Sequence, residues 1–410
     1  MKRPVLPAVL LLSGCIHLDE LGSRLGDGGF ADDLSSSPDQ GPRLDLGGAP
    51  CSKGSPVAVF TVHAPLNGQG VEVAPLRDGN FWLAMATPND TSGQRIVVGT
   101  YARAPMGART FYEAAMSPSD VTNGANDLRV RVSTTTLSNL YLAEWRPGST
   151  VADVVAAPAP ATYDGSGVPL PTPAFLDVSS SSFNCGSPTE GTADVSSFAG
   201  TRLAVNACGS TAVFEAGGAI ITKVANVTDA RVGATATGLG VGVYSSVVVD
   251  STGGTKHTDG FVTITSPSSG TYAASMPIAL NTALEPDFVV AISGDSQLLV
   301  AGREGAELRV VGGPLTGKPP ITPLLTRAGV SGTVGIATAL GHHLVVYQQG
   351  NAIMGSYAAD STSGWTDFLL VDHAGNPRVA ADPLTGAFVV TYIDLSLPSK
   401  TAALVDVTCP

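Results

Sequence analysis

Arg378-Val379-Ala380-Ala381, Asp382-Pro383-Leu384-Thr385-Gly386, then Phe388-Val389-Val390-Thr391-Tyr392-Ile393-Asp394 reads as strand, turn, strand. β-Branched and aromatic residues fill both runs, and Asp-Pro followed by Gly marks the tight turn between them. The same unit recurs upstream. Val334-Gly335-Ile336-Ala337 passes through Gly341 to Leu344-Val345-Val346-Tyr347, and Phe288-Val289-Val290-Ala291 passes through Gly294-Asp295 to Leu298-Leu299-Val300. Looser copies run from Val247-Val248-Val249 through Gly253-Gly254 to Phe261-Val262-Thr263-Ile264, and from Val71 to Ala74 through Asp78-Gly79 to Phe81-Trp82-Leu83. Two more are placed around Tyr141-Leu142-Ala143-Glu144-Trp145 and Leu203-Ala204-Val205.

Taking the second strand of each unit gives Phe81, Tyr141, Leu203, Phe261, Leu298, Leu344 and Phe388, at a mean interval of about 51 residues. Four-stranded propeller blades recur at about 40 to 50 residues. The expected fold is therefore all-β, a β-propeller of about seven blades, resembling propellers as a class without a kelch, WD or Asp-box signature. Two β-sandwich domains are the competing architecture, since sandwich hairpins also alternate and turn on glycines. Helix is not expected, because no long segment combines 3.6-residue apolar periodicity with caps.

Composition agrees with a β-rich exported protein. Of 410 residues 14% are charged and 43% hydrophobic, with 48 Gly, 29 Pro and only 6% aromatics. The formal net charge of -12 makes nucleic acid an unsuitable partner. Of the five cysteines, Cys51, Cys185, Cys208 and Cys409 form an even set suited to an oxidising compartment. Three pairings are open to them. Cys51 with Cys409 and Cys185 with Cys208 are the expected bonds, the first at the two ends of the repeats, where a closing ring would bring them together, and the second local. No pair has Cys-x-x-Cys spacing, so no zinc site is expected.

The first fifteen residues form a separate signal. Met1-Lys2-Arg3-Pro4, an apolar run over residues 5–12 and Ser13-Gly14-Cys15 give a cationic start, a stretch too short to span about 30 Å of hydrocarbon, and small residues before a cut. Leu12-Ser13-Gly14-Cys15 resembles the lipobox of bacterial lipoproteins. That resemblance implies a signal peptide over residues 1–14, acylation of Cys15 (palmitate among the chains) and anchoring in the cell envelope. With Ile16 rather than Asp after the cysteine, the outer membrane is the expected one. Residues 15–50, rich in Gly, Asp, Ser and Pro, read as the lipidated cysteine and a flexible acidic tether. Residues 51–410 read as the propeller-like ectodomain. Three acyl chains hold a protein far more firmly than one.

Chemical motifs are sparse. Neither Gly-x-Ser-x-Gly nor His-Glu-x-x-His occurs. Gly312-Gly313-Pro314-Leu315-Thr316-Gly317-Lys318 has phosphate-loop spacing, but Pro319 stands where Ser or Thr would hold magnesium. Gly238-Leu239-Gly240-Val241-Gly242 leads into Tyr244 and reads as a glycine-rich strand, not a dinucleotide loop. Residues 120–127 gather oxygen ligands without EF-hand order and read as a solvated turn. His342 and His343 are adjacent, so on a strand they point to opposite faces and cannot share a metal. Asp372-His373 followed by Asn376-Pro377-Arg378 places an acid, a base and a cation in one loop able to hold a polar ligand. Trp82, Trp145 and Trp365 are expected between blades, or on a carbohydrate-stacking face if exposed together.

No catalytic residue, metal or cofactor is assigned from these patterns. The first functional reading is a membrane-anchored binding module whose loops or central funnel take a protein or carbohydrate. The alternative is a glycan-cleaving propeller enzyme with a carboxylate pair about 5 to 9.5 Å apart.

Overall fold

The computed structural model describes residues 50–410 apart from the segments 62–69, 77–78, 87–95, 104–108, 117–128, 136–138, 146–151, 159–175, 180–190, 199–200, 209, 236–237, 250–252, 254, 267–270, 295, 316–320, 361–363 and 397–399. In the second repeat only the backbone is described. Cys15, residues 120–127 and Cys185 lie outside the described residues, as does the side chain of Cys208.

Among the described residues seven antiparallel meanders follow one another along the chain, five of four strands and two, blades 4 and 7, of five because their outermost strand is split in two. Blade 1 covers residues 72–116, blade 2 129–179, blade 3 191–225, blade 4 227–279, blade 5 289–328, blade 6 330–371 and blade 7 374–408. The first strands are Glu72–Pro75, Arg129–Thr135, Gly191–Phe198, Val227–Ala234, Val289–Ile292, Val330–Ala339 and Ala374–Ala381. Each packs against the first strand of the next blade, and Ala374–Ala381 packs against Glu72–Pro75, which closes the ring. These seven are therefore the inner strands. They run in one direction: Thr192 and Asp194 of blade 3 meet Ala230 and Val232 of blade 4 in step. One face of the ring thus holds every inner-strand start and the other every inner-strand end.

Blade 7 contributes only three strands from the C-terminal part of the chain. Its fourth comes from the other end, as Val57–Val59 and Ser52–Lys53, both paired with Thr401–Thr408. The Cys51–Cys409 disulfide fastens that seam, as expected from the repeat boundaries.

The stretch that announced the fold shows why the blades stack. In Phe388–Asp394 successive side chains point to opposite faces. Phe388, Val390 and Tyr392 pack with Leu344, Val346 and Phe368 of blade 6, whereas Val389 and Ile393 pack with Phe81 and Leu83 of blade 1. Both faces are buried, so the strand reads as a continuous apolar run. Burying each such side chain is worth roughly 1.5–3 kcal/mol. Between blades 3 and 4 the fit depends on glycine. A Cβ on Gly242 would lie 2.3 Å from the Phe214 ring, and one on Gly240 2.8 Å from Leu203. The glycine-rich segment is accordingly a strand, Leu239–Val249.

Phe261 differs from its expected place. It lies on Thr255–Thr265, the third strand of blade 4, while Leu239–Val249 is the second. The Gly253-Gly254 segment therefore falls between strands two and three, and strand two is faint in the sequence because the glycines that let it approach blade 3 also thin its apolar pattern. Gly312-Gly313-Pro314 closes the third strand of blade 5 and is no phosphate loop.

Candidate functional site

Five charged side chains from both sides of the ring meet at the inner strands. Arg378, on the inner strand of blade 7, donates from Nε to Glu72 Oε1 of blade 1 at 2.9 Å. Its Nη2 reaches Asp287 Oδ2 at 3.4 Å, just ahead of the inner strand of blade 5. Arg231 of blade 4 lies 3.7 Å from the other oxygen of Asp287 and donates to Asp229 Oδ1 at 2.5 Å. The Asp287 amide donates to Asp229 Oδ2 at 2.7 Å. The charges run Glu72, Arg378, Asp287, Arg231, Asp229, alternating in sign, and the link from Arg378 to Asp287 spans past blade 6. The side chains of Arg378 and Glu72 are 10% and 13% exposed and Asp287 26%, while Arg231 and Asp229 are fully buried. The most accessible member is therefore Asp287.

Local backbone irregularities aim these groups. Register shifts fall between Val227 and Asp229, between Ser331 and Val334, and between Gly375 and Arg378, on the inner strands of blades 4, 6 and 7. Bulges re-aim side chains and concentrate at functional sites. Here Asp229 and Arg378 each follow one directly. The bulges of blades 6 and 7 touch, with Thr333 Oγ1 donating to Pro377 O at 3.4 Å. Gln348 Oε1 accepts from the Asn376 amide at 3.4 Å, and a Cβ on Gly332, whose φ is +67°, would stand 2.6 Å from that oxygen.

Asp287 itself has φ +79°, a costly backbone for a residue other than glycine. The segment before it is pinned. Asp259, on the third strand of blade 4, accepts from the Leu284 amide and the Thr282 hydroxyl, both at 2.7 Å, and its backbone bonds Leu280 and Thr282. Burial raises the Asp259 pKa above the usual carboxylate range, opposed by those two hydrogen bonds. Glu285 pairs with Arg303, and its amide donates to Arg303 O at 2.7 Å. Strain held by surrounding structure is a pointer to function.

The loop singled out in the sequence is divided by the fold. Asn376 and Arg378 enter the cluster, whereas Asp372 and His373 are exposed and pair with each other at 3.2 Å. His342 and His343 do point to opposite faces: His342 Nδ1 lies 2.6 Å from the Tyr357 hydroxyl, and buried His343 packs near the Trp365 ring. Trp82 is buried, and half-buried Trp365 packs against the core shared by blades 5 and 6. Among the described residues no group of three or more His, Cys, Asp or Glu is placed to hold a metal ion. Glu72, Asp229, Arg231 and Asp287 were not singled out from the sequence. The available signal was Asp229 and Arg231 at alternate positions of an otherwise apolar strand, which puts both charges on one face.

Seven closed meanders with a charged crossing at their inner strands define a seven-bladed β-propeller. No protein-family model matches the sequence, and no curated protein matches it. Among solved structures, the polysaccharide lyase Uly1 is similar over 84% of this chain and 91% of its own, at TM-score 0.51 and 9% identity. The Dos1 propeller is similar over 86% and 94%, at 0.48 and 9%, and the phage phi92 endosialidase over 87% and 69%, at 0.46 and 8%. At such identities the likeness to Uly1 speaks for the fold alone.

Proposed function

We propose that this is a lipid-anchored protein of the bacterial envelope, held through Cys15 in the outer membrane, whose propeller binds a protein segment or carbohydrate at the charged crossing. The observation that carries the binding site is the alternating chain from Glu72 to Asp229, built by residues of four blades. The lipobox carries the anchor. A ligand of mixed polarity suits the site, because every cation there is flanked by carboxylates. Nucleic acid does not, given the acidic chain.

Binding is the favoured activity over glycan cleavage. Cleavage needs a carboxyl free to give its proton to a leaving group, and all three carboxylates of the crossing are engaged by guanidinium groups.

An oligosaccharide and peptide array probed with the wild type and with Asp287→Asn tests this, since Asp287 is the most accessible member and the amide keeps its shape. Retained folding with lost binding supports the reading. Equal binding by both proteins removes the crossing as the site, and release of reducing ends by the wild type would favour the enzyme.

A further inference from the structure

We infer that the propeller rests on a phospholipid bilayer with the face at which its inner strands end, so that the charged crossing points away from the membrane. This rests on the lipid-anchored reading above. Residue Cys51, through which the N-terminal segment joins the ring, lies at that face: Ser52 pairs with Thr408 at the end of the third strand of blade 7, and Cys51 is bonded to Cys409. A lipid on Cys15 would therefore pull on this face.

The same face carries the apolar surface. Leu340, in the turn after the inner strand of blade 6, is 63% exposed, and Leu384, in the corresponding turn of blade 7, is 64% exposed. The two turns abut, since a Cβ on Gly386 would lie 3.5 Å from Leu340 Cδ1. Ile220, just past the Gly217-Gly218 hairpin of blade 3, and Met276, following the short strand that pairs with the end of the third strand of blade 4, are exposed near the same end of their blades. Four of the five exposed large hydrophobic residues among the described residues thus lie at or near this end of their blades, and Leu369 is the exception.

A single exposed leucine needs no explanation. Leu340, however, has φ +51°, where a bulky side chain is disfavoured. Glu72, at the start of its inner strand, Asp287, just before one, and Asp229, two residues into another, lie by contrast toward the opposite face. Apolar side chains of membrane-surface proteins bury about 5–10 Å into the boundary between headgroups and acyl chains. With a chain of net charge -12, contact with anionic lipid comes from apolar insertion, so added salt does not release it.

The test uses the full-length acylated protein reconstituted in vesicles of phosphatidylethanolamine and phosphatidylglycerol, with acyl chains brominated to quench tryptophan. Leu384→Trp is compared with the wild type and with Asn351→Trp, an exposed position on the turn between the second and third strands of blade 6, on the other face. The expected result is added emission in Leu384→Trp that brominated lipid removes, unchanged by salt, and added emission in Asn351→Trp that survives. If Leu384→Trp misfolds by circular dichroism, hydrogen exchange on the wild type replaces it, with slowing at residues 340–341 and 384–386 on reconstitution as the expected result. Labelling with a palmitate analogue, with Cys15→Ala as control, reads the anchor separately. A labelled protein whose position 384 is not quenched, or whose turns are not protected, overturns the orientation alone. A wild type that takes no label overturns the anchor and the orientation with it.

Discussion

Replacing Arg378 by Gln removes the one guanidinium that joins the two sides of the crossing. It leaves Glu72, formerly 2.9 Å away, and Asp287, formerly 3.4 Å away, facing a neutral amide. Breaking a buried ion pair from one side costs about 3–5 kcal/mol. The lower end applies here, because Asp287 is 26% exposed and retains Arg231 at 3.7 Å. With unfolding entropy of roughly 2.1 cal/mol/K per residue over a unit of residues 48–410, about 3 kcal/mol lowers the melting temperature by about 4 °C. Glu72→Gln in the same chain removes the charge that Arg378 had balanced, so the double variant should recover part of the loss, with a coupling of about 1–3 kcal/mol. Calorimetry and urea unfolding of the wild type, both single variants and the double variant at pH 7, without reductant, complete the cycle. Additivity within about 0.5 kcal/mol would refute the argument, since it would mean that the two side chains do not act on each other.

Replacing Cys51 and Cys409 together by Ala should leave the ring folded, because the seam strands still pair, but lower stability. With a sequence separation of 358 the chain-entropy model allows up to about 6 kcal/mol, read as a lower urea midpoint of the non-reduced protein. Gly242→Ala should cost about 1–3 kcal/mol by overpacking against Phe214, measured by thermal melting. Burial, and then the charge of Asp394, push the Tyr392 pKa up to about 12. The folded state therefore keeps a proton that the unfolded chain sheds near pH 10, and stability falls as pH rises from about 10 to 12. Tyr392→Phe should show a shallower fall in urea midpoint across that window.

Architecture was legible because it is local and repeated. The strand and turn signals at residues 378–394 and 334–347 recur at blade spacing, and each is set by residues a few positions apart. Blade 4 blurred the register, because Gly240 and Gly242 satisfy a demand made by Phe214 of another blade, and nothing nearby in sequence states it. The charged crossing was legible only at one end. Arg378 and Asn376 stood out among polar neighbours, but Glu72 is 306 positions from Arg378 and Asp287 is 91. No spacing rule connects them, since ring closure makes them neighbours.

That closure also bears on what the crossing can do. In a propeller no backbone hydrogen bonds join opposite blades across the axis, so side chains alone make the connection here between Arg378 and Asp287. A ligand reaching Arg378 competes with Glu72 and Asp287, because Nε and Nη2 of that guanidinium already donate to them. It must then offer donors to the carboxylate it displaces, or leave that largely buried charge more weakly paired, which is costly. A purely anionic ligand supplies the first and not the second. A sugar hydroxyl or a peptide amide pair supplies both, which is why mixed hydrogen-bonding character, rather than charge, is the property to look for in whatever occupies the site.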